Sequence, residues 1–238
     1  MKMKYTCACI DKLLTHPYIM GYVIENDQSQ NSDPTTMYLN NEWDMYTDSF
    51  IGIDKEVSEY TECAKKIYTI KTVSDFWGIF NVMWGQPGKR IDQLEYSKSI
   101  HFIRDAGTPV YEDPLHARGG ILSMVYSDRI PTGGFIKFND MWMNMLMILF
   151  GNTLVLPNDN VVNGVTFSRR RYKLIIRLWD NVYPHSQNDK ATLEAHALSI
   201  MNAVASCLPP ELVGMFRSPV IYYYKTISET STVIGDAS

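Results

Sequence analysis

The sequence has no apolar run long enough to span a bilayer, which excludes a helical membrane span within it. Its first residues, Met1 to Asp11, carry lysines but no apolar segment followed by a cleavage site, so no secretory signal is expected. Cysteine is scarce: Cys7, Cys9, Cys63 and Cys207 match no zinc spacing and no disulfide framework. Free thiols point to a reducing compartment, the cytoplasm first, with passage through the nucleus left open. A basic excess is also missing. Lys and Arg number 22 against 26 Asp and Glu, a formal net charge of -4. A general nucleic-acid binder shows a broad cationic footprint. Any contact with RNA must therefore run through a small, local basic site. There is no Walker loop and no Gly-x-Gly-x-x-Gly, and the five histidines fall at no ligand spacing. No metal, cofactor or catalytic role is expected from these motifs.

What is present is an ordinary globular composition, 45% hydrophobic and 20% charged over 238 residues, enough for a single domain with a substantial core. Three helices are readable. The first starts at Thr72, with Asp75 three residues on as in a capping box, and carries an apolar stripe of Val73, Phe76, Trp77, Phe80 and Trp84. The second runs from Asn139-Asp140 through Met141 to Phe150, stops at Gly151, and is apolar almost all round. Its methionines 141, 143, 145 and 147 circle the helix and are expected to point both inward and outward. The third runs from Asn188-Asp189 to about Leu208, with Leu193, Ala197, Ile200, Val204 and Leu208 inside, and ends at Pro209-Pro210. Strand patterns occur at residues 18–25, 99–104, 121–126, 164–170, 173–179 and 219–225. Residues 28–59 are polar and irregular and read as a long loop insertion, with Trp43, Tyr46, Phe50 and Ile51 able to pin part of it. Groups of strands between helices, without a helix between each pair, predict an α+β fold with an antiparallel sheet.

Two segments carry chemistry. In the hairpin from Val165 to Trp179, period two buries Val165, Phe167, Leu174, Ile176 and Leu178. The other face then holds Thr166, Ser168, Arg170, Lys173, Ile175, Arg177 and Trp179. Cations beside an indole suit a phosphorylated, stackable base. A solvated, charged hairpin accounts for the same pattern on periodicity alone. The second segment is the loop from Gly107 to Pro114, with Tyr111 directly before Glu112. A ring stacks on a base, and a carboxylate accepts from the ring N–H and exocyclic amine of guanine. A methylated guanine is cationic, so stacking gains ~0.5–2 kcal/mol per ring. Alone, this triplet also fits a surface turn.

A series of landmarks runs along the chain: His16-Pro17; the stretch Lys66 to Trp77 ending in Phe76-Trp77; Pro109-Val110-Tyr111-Glu112-Asp113 with Arg118-Gly119-Gly120; Trp142 with Gly151; the Gly164-to-Trp179 spacing; and Leu208-Pro209-Pro210. In that order they resemble the translation initiation factor 4E family of messenger-RNA cap-binding proteins. The resemblance implies a curved antiparallel sheet with about three helices on its convex side, and one cap-binding domain over residues 1–238. It implies that 7-methylguanine is clamped between two aromatic rings. Tyr111 falls on one of them, Glu112 on the guanine-reading acid, Trp179 on the tryptophan near the N7-methyl group, and Arg170 on a phosphate-binding arginine. The second ring falls on Tyr60, with Trp43 as the rival. Ile175 stands where the family has a lysine, and Lys173 and Arg177 share its face to compensate. Such departures mark a divergent, specialised paralogue of the kind expected in a protist.

The resemblance further implies a convex surface for a partner carrying a Tyr-x-x-x-x-Leu-Φ helix, formed by His16, Pro17, Val73, Trp77 and Met143. Periodicity alone makes Trp77 a core residue. Capped mRNA and that protein are the partners expected in translation initiation. A repressor or an interaction scaffold that has lost the cap is the alternative reading.

Overall fold

Alternation along the strands decides which side of the sheet is dry. The computed structural model describes residues 36–49, 64–84, 90–95, 98–111, 113–116, 119–127, 132–156, 160–181, 190–219, 221–226 and 231–236. Their elements run β1 (Tyr38–Ser49), β2 (Lys65–Thr72), α1 (Val73–Met83), a 3-10 turn (Ile91–Gln93), β3 (Lys98–Arg104), β4 (Gly120–Ser127), α2 (Thr132–Phe150), β5 (Val162–Arg170), β6 (Lys173–Asp180), α3 (Lys190–Cys207), α4 (Pro210–Phe216), β7 (Ile221–Thr226) and β8 (Ser231–Asp236). The strands form one curved sheet of eight in the order β2-β1-β3-β5-β6-β4-β7-β8, and every neighbouring pair is antiparallel.

One face carries the helices and the main core. Trp43 and Met45 of β1, Ile100 and Phe102 of β3, Val165 and Phe167 of β5, and Leu174, Ile176 and Leu178 of β6 all enter it. Each such large side chain contributes about 1.5–3 kcal/mol on burial. A second, small cluster of Tyr46, Ile103, Ile121 and Trp179 lies on the other face. The hairpin inside and outside assignments therefore hold residue by residue.

Helix α1 begins as the capping box predicts. The Asp75 amide donates to the Thr72 hydroxyl at 3.0 Å, and the Thr72 amide donates to the Asp75 carboxylate at 2.9 Å. Helix α2 starts well before the expected Asn139, at Thr132. At its far end the left-handed residue is Asn152, at φ 50°, rather than Gly151. The amides of Asn152 and Thr153 close back onto Leu149 and Ile148 at 3.1 Å, a Schellman arrangement with asparagine in the usual glycine position. Met141, Met143 and Met145 are all buried and Met147 partly so, because α2 is enclosed by the sheet, the 3-10 turn, α3 and α4. The methionines do not divide between inside and outside as their spacing suggests. In α3, Leu193, Ala197, Ile200 and Val204 are buried, followed by Leu208, as the stripe predicts. Pro210 does more than end α3: it opens the seven-residue α4 at a first-turn position.

The loop insertion expected at 28–59 is overturned in part. Residues 38–49 are β1, an interior strand paired with both β2 and β3. Its polar residues hid it. Asp44 and Asp48 are buried on the face away from the helices, where Asp44 takes the Thr69 hydroxyl and Lys66, both at 2.6 Å. The strand expected at 18–25 lies outside the described residues. Among the described residues, no helix is long and apolar enough to cross a membrane.

Candidate functional site

Pairing of β5 with β6 sets Arg170 opposite Lys173, Ser168 opposite Ile175, Thr166 opposite Arg177 and Gly164 opposite Trp179. The outer face of the hairpin is thus a strip that runs from cations to an indole. Gly164 is needed under that indole. A Cβ there would lie 2.6 Å from Ile103 Cδ1 and 3.3 Å from Trp179 Cβ. Trp179 itself is only 3% exposed. The half-exposed Tyr111 ring leans on it, with centroids 5.7 Å apart and planes at 44°, and the His116 ring packs at 4.7 Å.

The Tyr111 loop is held by Asp113. Its carboxylate accepts from the Thr108 amide at 2.7 Å, the Thr108 hydroxyl at 2.6 Å and the Leu115 amide at 2.8 Å. Partial burial raises the Asp113 carboxyl, but these bonds outweigh it and leave it below the usual carboxylate range. The chain enters the loop through two left-handed residues, Asp105 at φ 55° and Ala106 at φ 61°. Tyr46 closes the loop base by donating its hydroxyl to the Gly107 carbonyl at 3.0 Å. Burial holds the His116 imidazole below the ordinary histidine range, while its Nε2 donates to the Thr108 carbonyl at 3.0 Å.

Arg170 and Arg177 are joined through two serines. Arg170 Nη2 donates to Ser99 Oγ at 3.1 Å, Arg177 Nη1 donates to Ser168 Oγ at 3.0 Å, and the two serine oxygens are 2.9 Å apart. Arg170 Nη1 also donates to the Lys98 carbonyl at 3.1 Å. Both guanidinium groups are therefore fixed, half-buried, on the same strip, with the exposed Lys173 beside Arg170. A fixed guanidinium fork presents its remaining donors to an anion with little further ordering cost.

On the helix side, Asp180 follows Trp179 directly. Its Oδ1 accepts from the Gly120 amide at 2.6 Å, and its Oδ2 meets His196 Nε2 of α3 at 2.8 Å. Gly119 makes this possible, since a Cβ there would lie 2.0 Å from the Asp180 carbonyl oxygen.

Of the residues singled out by sequence, Tyr111, Trp179, Arg170, Arg177 and Lys173 share this outer face. Tyr60, Glu112, His16 and Pro17 lie outside the described residues. Trp43 is excluded as a stacking ring: it is 1% exposed in the main core, on the opposite face of the sheet. Val73 and Trp77 lie on α1, both half-buried, and Trp77 packs edge-on against Phe76 and Phe80. Met143 is only 7% exposed and belongs to the main core, against which Trp77 also packs, so it does not itself form an open surface. Sequence reasoning missed Tyr46, His101, Asp48 and Thr166 as supports of the indole. The period-two pattern of β3, with Ser99 and His101 between Ile100 and Phe102, is the signal that finds part of them.

This fold is similar to that of solved eIF4E structures. It superposes on Caenorhabditis elegans eIF4E-3 in complex with the 4E-binding protein Mextli at a TM-score of 0.59 and 18% identity, covering 81% of this chain and 94% of that one. With Ascaris suum eIF4E-3, solved with m7G cap, the TM-score is 0.57 at 16% identity, over 84% of this chain and 98% of that one. The sheet and its helical layer thus define the class, an initiation-factor-4E fold. In sequence, eukaryotic translation initiation factor 4E of Eremothecium gossypii is 28% identical over 142 residues, 59% of this chain and 61% of that protein. Initiation factor 4E-2 of Schizosaccharomyces pombe is 28% identical over 156 residues, 66% of this chain and 57% of that one. The matched part spans between half and two thirds of the length of these relatives. The family model described as Eukaryotic initiation factor 4E matches residues 38–211, most of the chain, and the protein belongs to that family. The match begins at β1, so His16-Pro17 precedes it.

Proposed function

We propose that this protein binds the 7-methylguanosine 5′ cap of mRNA and recruits a protein partner in translation initiation, acting by binding and not by catalysis. In this reading Tyr60 and Tyr111 stack on the base, Glu112 reads its Watson–Crick edge, and Trp179 faces the methyl group. Arg170, Arg177 and Lys173 take the phosphates. The partner's Tyr-x-x-x-x-Leu-Φ helix is taken by Val73, Trp77, Met143, His16 and Pro17. One observation carries this: the Tyr111–Trp179 pair, 5.7 Å between centroids, stands at the end of the strip on which Arg170 and Arg177 are fixed through Ser99 and Ser168. Membership of the family, and the m7G cap in the Ascaris suum eIF4E-3 structure of similar fold, support the same assignment.

The test is a titration of the full chain with 7-methylguanosine triphosphate and with guanosine triphosphate. Binding that prefers the methylated nucleotide is expected, and Glu112→Ala removes guanine selectivity. Equal, weak affinity for the two nucleotides overturns the proposal.

Ile175 favours a second reading, an interaction scaffold or repressor with weakened cap binding. It is buried at 9% exposure on the strip, between Arg177 and Lys173, and offers no charge there. Partner capture through the Trp77 surface, with no retention on a cap column, selects that reading.

A further inference from the structure

The outer face of the sheet holds a buried polar chain that none of the assigned roles uses. Trp179 Nε1 donates to Thr166 Oγ1 at 2.9 Å. The same hydroxyl lies 2.9 Å from His101 Nδ1, and His101 Nε2 lies 3.1 Å from Asp48 Oδ2. The four side chains are between 1% and 3% exposed. They come from β6, β5, β3 and β1, four strands adjacent in the sheet, and His101 sits directly opposite Thr166 in the pairing.

The direction of every proton follows from what each group is able to do. An indole nitrogen only donates, so Thr166 accepts from Trp179. The threonine proton is then available to His101 Nδ1, which accepts it. A carboxylate only accepts, so Nε2 carries the imidazole proton and gives it to Asp48. Polarity runs one way, Trp179 to Thr166 to His101 to Asp48, with a neutral imidazole. Burial supports that protonation state by holding His101 below the ordinary histidine range; Arg177 of β6 and Arg170 of β5 push the same way, against Asp48 of β1.

We propose that Asp48, His101 and Thr166 are positioning residues for Trp179: the ordered chain fixes the plane of the indole against which the methylated base is set, and thereby sets the preference for 7-methylguanosine over guanosine. This rests on the cap-binding reading of the site. A half-turn of the indole loses its bond to Thr166 and strands a buried N–H, so one ring orientation is selected. Tyr111 and His116 then pack on an indole that is already locked.

Thr166→Val and Thr166→Ser separate a hydroxyl relay from simple packing. Valine keeps the shape and suits a strand, while serine keeps the hydroxyl. Two readouts are taken on the full chain. One is the Trp179 indole N–H signal by NMR in the unliganded protein. The other is affinity for 7-methylguanosine triphosphate and for guanosine triphosphate. Thr166→Val is expected to shift the indole signal, speed its exchange with solvent, and reduce the preference for the methylated nucleotide about tenfold; Thr166→Ser restores both. His101→Phe, which removes the acceptor for the threonine proton, moves both readouts in the same direction and serves if the valine variant does not fold. A valine variant with wild-type indole signal or wild-type preference overturns the proposal, as does failure of serine to restore them. If the wild-type protein shows no preference, the cap-binding reading fails, and with it the specificity role; the indole signal of the unliganded variants then decides the positioning chain by itself.

Discussion

Trp43 lies flat against Phe150, with ring centroids 4.6 Å apart and planes 18° from parallel. The pair joins β1 to the end of α2 inside the main core. Trp43→Ala is therefore expected to destabilise the protein by about 3–5 kcal/mol, the usual cost of emptying a large aromatic site. Urea unfolding measures this. Under the proposed function, the folded fraction of the variant is expected to retain the wild-type preference for methylated over unmethylated guanosine triphosphate. Loss of that preference in folded Trp43→Ala returns Trp43 to the list of stacking rings.

Gly119→Ala places a methyl 2.0 Å from the Asp180 carbonyl oxygen, a contact that the backbone has to relieve by moving. The expected cost is about 2 kcal/mol or more. The signature is a lower unfolding midpoint together with an altered Trp179 fluorescence, because Asp180 and Trp179 are neighbours in β6. A midpoint equal to the wild type refutes the close approach.

Two buried histidines give the stability a defined pH dependence. His101 and His116 both lie below the ordinary histidine value of 6.5 in the folded protein, chiefly through burial. Below that value the unfolded chain takes up protons that the folded chain does not. Stability therefore falls as pH drops from about 6.5 toward the lower native values, by at most ~1.4 kcal/mol per pH unit for each histidine. Above the unfolded value the dependence vanishes. Unfolding curves between pH 7 and pH 5 test it, and His101→Phe is expected to flatten the slope by one proton's share. A wild-type slope of zero, or a rise in stability on acidification, contradicts the assignment.

Under the proposed function, the stacking and phosphate roles separate by salt. Tyr111→Ala is expected to weaken binding of 7-methylguanosine triphosphate by ~1–3 kcal/mol at every ionic strength, as loss of a stacking ring does. Tyr111→Trp tightens it by about twofold, tryptophan being the better partner for a cation. Arg170→Ala also weakens binding, but its deficit shrinks as salt rises, because one phosphate contact is gone. Parallel salt dependence in Arg170→Ala and wild type removes Arg170 from the phosphate grip.

How far the sequence foretold these features differs from element to element. The hairpin from Val165 to Trp179 was legible because every second residue, Val165 and Phe167, then Leu174, Ile176 and Leu178, is apolar and enters the main core. Helix α1 was legible from Thr72 and Asp75, whose capping chemistry is local. Strand β1 was not. Asn40, Asn41, Glu42, Asp44 and Asp48 read as loop residues, yet the two aspartates are buried and pair with Thr69, Lys66 and His101, partners distant in sequence. The early start of α2 was hidden by Gly133 and Gly134, and α4 by the prolines that read as a stop. The order of landmarks gave the family, while the support beneath Trp179 is a tertiary arrangement across four strands that no local pattern contains.

Asp180 has one further consequence. Trp179 turns toward the outer face and the next residue turns toward the helices, where its carboxylate meets His196 of α3 at 2.8 Å. A single peptide unit is thus the joint between the two sides of the sheet. A displacement of His196 with α3 has only the Asp180 carboxylate and one peptide unit to cross before it reaches the indole.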